Sequence, residues 1–199
     1  MLFKLKYLTP KIHEKLFSDV TEFRTSFGLP INARCSGGMS SEDDELHTSL
    51  FIEEFSELVT AKDLAESADA LIDACFVLVG RESQMQEYLP EVDVILDSFI
   101  AVAERNGIPF MQVWDIVHAS NMSKLSQDDA DFEASRDFYR KLGVPVVGEK
   151  QANGLIAIKC KENTTYVDEK GVEKSIKKGK VLKSINYKSA DEDIKALFI

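Results

Sequence analysis

The chain is poor in several features that mark whole protein classes. It has three cysteines in 199 residues, Cys35, Cys75 and Cys160, far apart and with no C-x-x-C. That spacing argues against a disulfide framework or a zinc ribbon and fits a reducing compartment, with all three thiols structural. No apolar run is long enough to cross a bilayer, and Met1 to Glu14 mixes lysine with apolar residues rather than forming a signal peptide. A cytoplasmic protein with no membrane partner is expected. His13, His47 and His118 are the three histidines, and none lies in the Glu-x-x-His pattern of a di-iron bundle, which argues against redox chemistry. Basic residues are also in deficit: 24 Lys and Arg stand against 34 Asp and Glu, for a formal net charge of −10. An acidic body argues against nonspecific nucleic-acid binding. There is no internal repeat and no low-complexity tract.

What is present is enough for a real core, since 44% of residues are hydrophobic and phenylalanine is frequent. The length suits one domain, or one domain with an appendage. Charge divides unevenly: residues 136–199 carry 14 Lys and Arg against 9 Asp and Glu, so the excess of acid lies upstream. Apolar spacing predicts a helix over Phe17 to Phe27, ended by Gly28-Leu-Pro30, and a loop over Ala33 to Glu42. A helix follows to about Val59, with Ser41 as N-cap and Glu42, Asp43 and Asp44 in its first turn. Another runs from Leu64 to Val79, where Gly80 ends or kinks it. Arg81 to Pro90 reads as a connection or broken turn, Glu91 to Arg105 as a helix stopped by Asn106-Gly-Ile-Pro109, and Phe110 to about Ser120 as the next helix. Downstream, Asp128 to Leu142 is helical. Leu155 to Lys159 and Thr164 to Val167 are β-prone, Asp168 to Gly171 is a turn, and Asp191 to Phe198 is a short final helix. The expected fold is all-α: a four-to-five-helix bundle over residues 1–135 with a small β-containing C-terminal extension over 136–199.

Two acidic clusters stand out. Glu53, Glu54 and Glu57 lie in Leu50-Phe-Ile-Glu-Glu-Phe-Ser-Glu-Leu58, and Glu66, Asp69 and Asp73 enter a run that is otherwise apolar from Ala68 to Val79. Charged residues are usually solvated helix faces. Three features weigh against that fate here. The first cluster has no Lys or Arg at helical spacing to neutralise it. The second sits in a helix without a broad polar face. The two helices are joined by a short turn, which favours an antiparallel hairpin that brings the clusters face to face. Like charges so placed repel, and cations relieve the repulsion. Carboxylates alone are hard oxygen ligands, so Mg²⁺ is expected, with Mn²⁺ as the second choice, and metal-assisted phosphate chemistry is favoured over redox chemistry.

Glu53-Glu-x-x-Glu57 followed by Glu66-x-x-Asp69 resembles the EExxE…ExxD pattern of the all-α nucleoside triphosphate pyrophosphohydrolases, which include MazG-like and phosphoribosyl-ATP pyrophosphohydrolase-like proteins and phage-type members. Ala68-Asp-Ala-Leu-Ile-Asp73 with Phe76-Val-Leu-Val-Gly80 resembles the second metal-binding helix of that superfamily. Asn106-Gly-Ile-Pro-Phe110 and Val113 to Lys124 resemble its last core helix. Phe17 to Pro30 resembles the opening helix, and Gly179 to Tyr187 the tail. Arg81 to about Ala103 departs from the pattern as an apparent insertion, and residues 126–170 are longer than expected. Phe76 stands where a tyrosine is expected, and His47, not an arginine, precedes the Glu53-Glu54 pair.

The resemblance implies cleavage of an NTP or dNTP to the monophosphate and pyrophosphate. Glu54, Glu57, Glu66, Asp69 and Asp73 would be metal ligands, Glu53 and Glu54 catalytic, and Glu53 either a further ligand or the group that orients the attacking water. Asn121 and Lys124 would contact phosphate or nucleotide, although both residue types are also ordinary at a helix C-terminus. Lys170 to Lys188 reads as a solvated hairpin, with Lys180 or Lys183 as weaker candidates for a triphosphate contact. Trp114 reads as core and His118 beside it as packing. Relatives pair their bundles, so a homodimer or homotetramer is expected. The rival readings are a phosphoribosyl-ATP pyrophosphohydrolase, a noncatalytic helical assembly module, and a divalent-cation binder without hydrolysis.

Overall fold

The computed structural model describes residues 4–31, 39–167, 171 and 173–199. Cys35 and most of the expected Ala33–Glu42 loop and Asp168–Gly171 turn lie outside them. The described chain is mostly helical with a small C-terminal β portion. It forms two compact units. One holds residues up to Thr25, Pro30–Ala119 and Ser189–Ile199; the other holds Ser26–Leu29 and Ser120–Lys188. The expected division lay at residue 135/136. The chain instead passes into the second unit at Ser120, and its last eleven residues return to the first.

The first unit is built from α1 (Pro10–Ser26), α2 (Ser41–Thr60), α3 (Leu64–Met85), α4 (Pro90–Arg105), most of α5 (Phe110–Met122) and α7 (Asp191–Ala196). Helix α1 begins seven residues before the expected Phe17: Pro10 opens it, where a missing N–H costs nothing, and Thr9 Oγ1 accepts from Ile12 N–H. The cap of α2 is Ser40, not Ser41, and its side chain accepts from Asp43 N–H. Asp63 caps α3 by accepting from Glu66 N–H at 2.8 Å.

Helix α3 neither ends nor breaks at Gly80. It continues to Met85, so the first half of the expected Arg81–Pro90 connection is helical. Its terminus is Gln86, in the left-handed region at φ 53°, whose N–H reaches back to Glu82 O and Ser83 O. This helix is buried on nearly all sides. Leu71, Ile72, Cys75 and Val79 sit in a core completed by Leu16, Leu96, Val113, Trp114 and Ile194.

The second unit contains α6 (Asp129–Lys141) and five short strands: β1 (Val146–Lys150), β2 (Ile156–Cys160), β3 (Thr164–Val167), β4 (Glu173–Ile176) and β5 (Val181–Leu182). Strand β2 is central in an antiparallel β1-β2-β5 sheet, with Gly148 opposite Ile158 and Ile158 opposite Leu182; β3 and β4 form a separate antiparallel pair. Val144, Ile158, Cys160, Ile176 and Leu182 form its core. Asp131 fixes the start of α6 twice over, accepting from Gln127 N–H and from the Ser184 hydroxyl at 2.8 Å.

Candidate metal centre

The hairpin expected from the sequence is present. Asp44 of α2 pairs with Arg81 of α3, and His47 of α2 with Gln84 of α3 at 2.9 Å, while at the opposite end Glu57 of α2 shares a cleft with Glu66 and Asp69 of α3. The two helices therefore run antiparallel, joined by Ala61 to Asp63. The cleft has a volume of about 270 Å³ and is closed by Thr60, Ala61, Lys62 and Ala70. A second cleft of about 210 Å³ shares Glu66 and Asp69 and is completed by Asp191, Ile194 and Lys195 of α7. Sequence spacing gave no sign that the C-terminal helix borders the acidic cluster. Lys195 also pairs with Glu192 at 3.2 Å.

Three of the six acids, Glu57, Glu66 and Asp69, thus line one cleft, without their carboxylate oxygens all coming within 4.8 Å of one another. Glu53 is exposed on α2, and Glu54 and Asp73 are half-buried on α2 and α3; none of the three lines that cleft. Glu66 also has a structural role. Its Oε2 accepts the Lys62 N–H at 2.8 Å, so it helps to close the start of α3 much as a capping box does. Asn121 and Lys124 belong to the second unit, where Lys124 Nζ donates to Asn121 Oδ1 at 2.6 Å. Trp114 is fully buried and donates its indole N–H to Asp19 at 2.8 Å.

Among the described residues, two groups bring three possible ligand atoms within 4.8 Å of one another, and neither includes a residue of the two acidic clusters. The first is His13, Glu82 and Asp93. Here His13 Nε2 lies 2.8 Å from Glu82 and Nδ1 lies 3.3 Å from Asp93. Both ring nitrogens face carboxylates, which suits an imidazolium and leaves no lone pair for a metal. The second is Asp19, Glu22 and His118. Its buried member, Asp19, already holds the Trp114 indole and the Lys15 ammonium, the latter at 2.5 Å. His118 Nε2 stands 3.4 Å from Glu22. These are ion-pair networks. The carboxylate cleft between α2 and α3 has the harder and more accessible donor set.

A third polar group lies inside the hairpin. Arg24, buried on α1, donates to Pro30 O and to Gln84 Oε1, each at 2.6 Å from Nη2, and burial holds its guanidinium down at about 10. Burial also lowers the pKa of His47, and the nearby Arg24 charge adds to this against the opposing Gln84 hydrogen bond. No protein-family model, curated protein or solved structure matches this chain.

Proposed function

We propose that the chain is a Mg²⁺-dependent nucleoside triphosphate pyrophosphohydrolase, converting an NTP or dNTP and water to the monophosphate and pyrophosphate. The observation that supports this reading is that Glu57, Glu66 and Asp69 line one cleft of the α2–α3 hairpin. An all-carboxylate donor set without His or Cys fits Mg²⁺, with Mn²⁺ as a substitute, and is a poor match for Zn²⁺ or iron. Glu57, Glu66 and Asp69 would hold the ion, supplemented by Glu54 and Asp73 from the same two helices. The bound ion supplies neutralisation of phosphate charge and a lowered pKa for water. Glu53, exposed on α2 and outside the lining of that cleft, would be either a further ligand or the group that orients the attacking water, a role that rests on the resemblance. Asn121 and Lys124 enter as nucleotide contacts through the family resemblance alone.

One observation favours a second element of the reading, assembly. Ile52, Phe55 and Val59 of α2 are exposed although apolar, which suits a homodimer or homotetramer and is the feature a noncatalytic assembly module would share. Product analysis separates these. A panel of NTPs, dNTPs and phosphoribosyl-ATP is incubated with Mg²⁺ and the wild-type protein or Glu54→Gln. Monophosphate and pyrophosphate, lost in the variant, are the expected products, and the fastest substrate decides between the general hydrolase and the phosphoribosyl-ATP enzyme. A folded protein that binds Mg²⁺ but turns over none of them would leave the cation-binding or assembly reading.

A further inference from the structure

The second unit reverses the charge of the protein. Ser120–Lys188 carry 14 Lys and Arg against 10 Asp and Glu, while the rest of the chain carries 10 against 24. Charge of either sign serves solubility, whereas a reversal confined to one unit decides which ligands that unit attracts. Two of the chain's six arginines, Arg136 and Arg140, lie in this unit. They stand one turn apart on α6, a spacing that puts Cβ atoms about 5–6 Å from each other.

Both arginines line a cleft of about 460 Å³, within the roughly 300–1,000 Å³ typical of small-molecule sites. Lys161, just past the end of β2, lines it too, and its N–H donates to Pro145 O at 2.9 Å, which fixes it beside the 143–146 segment. Val144 and Val146 give the cleft an apolar side. A Cβ added to Gly143 would meet nothing within 4 Å, so the space over that segment is open. More cations are tied to the same end of β2. Cys160 N–H donates to Lys180 O at 2.9 Å and Gly179 N–H to Cys160 O at 2.8 Å, which holds the Lys177–Lys180 turn there.

The arginines keep capacity for a ligand. Arg136 pairs with Glu133, and Arg140 with Asp137 at 3.2 Å, but both are exposed i,i+3 pairs, a kind that contributes little. A guanidinium has five donors in a planar fork that matches phosphate. Arg136 also lies 6.0 Å from the centre of the Phe132 ring, which helps to orient it. The cleft lining holds three cations against one carboxylate, Glu162. That excess suits a phosphate monoester, which carries about −1.5 to −2 at pH 7. Glu162 adds an acceptor for a ligand hydroxyl. Together with Glu133 and Asp137 it also opposes an extended polyanion, which favours a small ligand over a nucleic-acid strand.

We propose that this cleft binds a hydroxyl-bearing phosphate ester, with the phosphate held by Arg136, Arg140 and Lys161, a hydroxyl donated to Glu162, and the carbon frame against Val144 and Val146. The site belongs wholly to the second unit and does not depend on the hydrolase reading.

The test titrates the full chain, without metal, with ribose 5-phosphate, ribose, inorganic phosphate and a single-stranded oligonucleotide, and follows the Val144 and Val146 methyls by NMR. Expected are saturable shifts with ribose 5-phosphate, none with ribose, and binding that weakens as salt rises. The double substitution Arg136→Gln with Arg140→Gln should weaken binding about tenfold or more. Lys161→Gln, which leaves both α6 ion pairs in place, should weaken it to a smaller degree, and Glu162→Ala should remove the preference for the ester over inorganic phosphate. All four side chains belong to exposed residues, so the fold is retained. Methyls unmoved by ribose 5-phosphate, or shifts that persist undiminished in both the double variant and Lys161→Gln, would overturn the proposal. Inorganic phosphate bound as tightly as the ester would overturn the ester assignment. An oligonucleotide bound more tightly than the ester, and weakened by the same substitutions, would replace the small ligand with a strand.

Discussion

Glu82 has no exposed surface, and its charge is matched by residues far from it in the chain. Its Oε2 meets His13 Nε2, its Oε1 accepts the Leu89 N–H at 2.8 Å, and Asp93 faces the other nitrogen of the same imidazole. Tyr88 packs against that ring at a tilt of 35°, with centroids 4.1 Å apart. Burial alone would push the His13 pKa down, but the hydrogen bond and charge of Glu82, with the charge of Asp93, outweigh it and hold the imidazole above its ordinary 6.5. A raised pKa means that the folded state binds the proton more tightly than the unfolded chain. The contribution is complete below the unfolded value and fades as pH rises through the folded one. His47 has the opposite sign: its pKa lies below 6.5, so its contribution is present above the unfolded value and is lost as pH falls through the folded one. His13→Gln leaves Glu82 buried without its cation and should cost about 3–5 kcal/mol near pH 6. Urea unfolding near pH 6 and near pH 9 checks this. The deficit of the variant should shrink at the higher pH, and a deficit independent of pH would mean that the pair is not an ion pair. Residues 13, 82 and 93 share no motif, and Glu82 stood in a stretch that read as a polar connection, so nothing in the sequence announced the triad.

At the scale of elements, two glycines make opposite predictions. Gly80 lies inside α3, and a Cβ there would meet His47 Cε1 at 3.7 Å and Arg24 Nη1 at 3.9 Å, ordinary contact distances. Gly80→Ala should therefore stabilise the protein by about 0.5–1 kcal/mol, mainly through the unfolded chain. Gly148 in β1 has no such room: a Cβ would stand 2.7 Å from the Phe132 ring of α6 and 2.9 Å from Ile156 of β2. Gly148→Ala should cost about 1–3 kcal/mol by forcing those groups apart. Unfolding midpoints of the two variants should move in opposite directions, and a neutral Gly148→Ala would mean that α6 is not packed against this sheet. The same elements show what sequence patterns convey. The serine at the start of α2 and Asn106-Gly-Ile-Pro109 at the end of α4 marked those helix ends to within a residue, because their chemistry is local, whereas Gly80 did not end α3. Gln86 in the left-handed region was not legible, since that conformation usually falls to glycine. Strand β1 was missed, because Val146-Val-Gly-Glu-Lys150 carries no apolar alternation, and β4 was expected only as the unbounded far side of the Asp168–Gly171 turn, since Glu173-Lys-Ser-Ile176 buries only Ile176.

For the molecule as a whole, the acidic hairpin was legible because it depends on short-range spacing across one turn, whereas the borders of its site depend on tertiary packing. Asp191 and Lys195 reach the cleft only because the chain returns from its second unit. The surface of α2 carries the largest unresolved demand. Ile52 is 58%, Phe55 44% and Val59 70% exposed, and the Phe51, Phe55 and Phe99 rings form a nearly parallel set with centroids 5.9–6.4 Å apart. Scattered single apolar residues on a surface need no explanation, but a contiguous patch does. Val102 of α4, one turn past Phe99 and 43% exposed, extends it. With a net charge of −10, two copies repel at long range, so pairing through this patch would have to come from apolar burial and should strengthen as salt screens the charge. Light scattering coupled to size exclusion should give the mass of a dimer or tetramer, more fully populated at high salt. The double substitution Phe55→Ser with Val59→Glu should return a folded monomer. A wild-type protein that stays monomeric at high concentration and high salt would remove the assembly expectation while leaving the carboxylate cleft, which each chain builds alone, untouched.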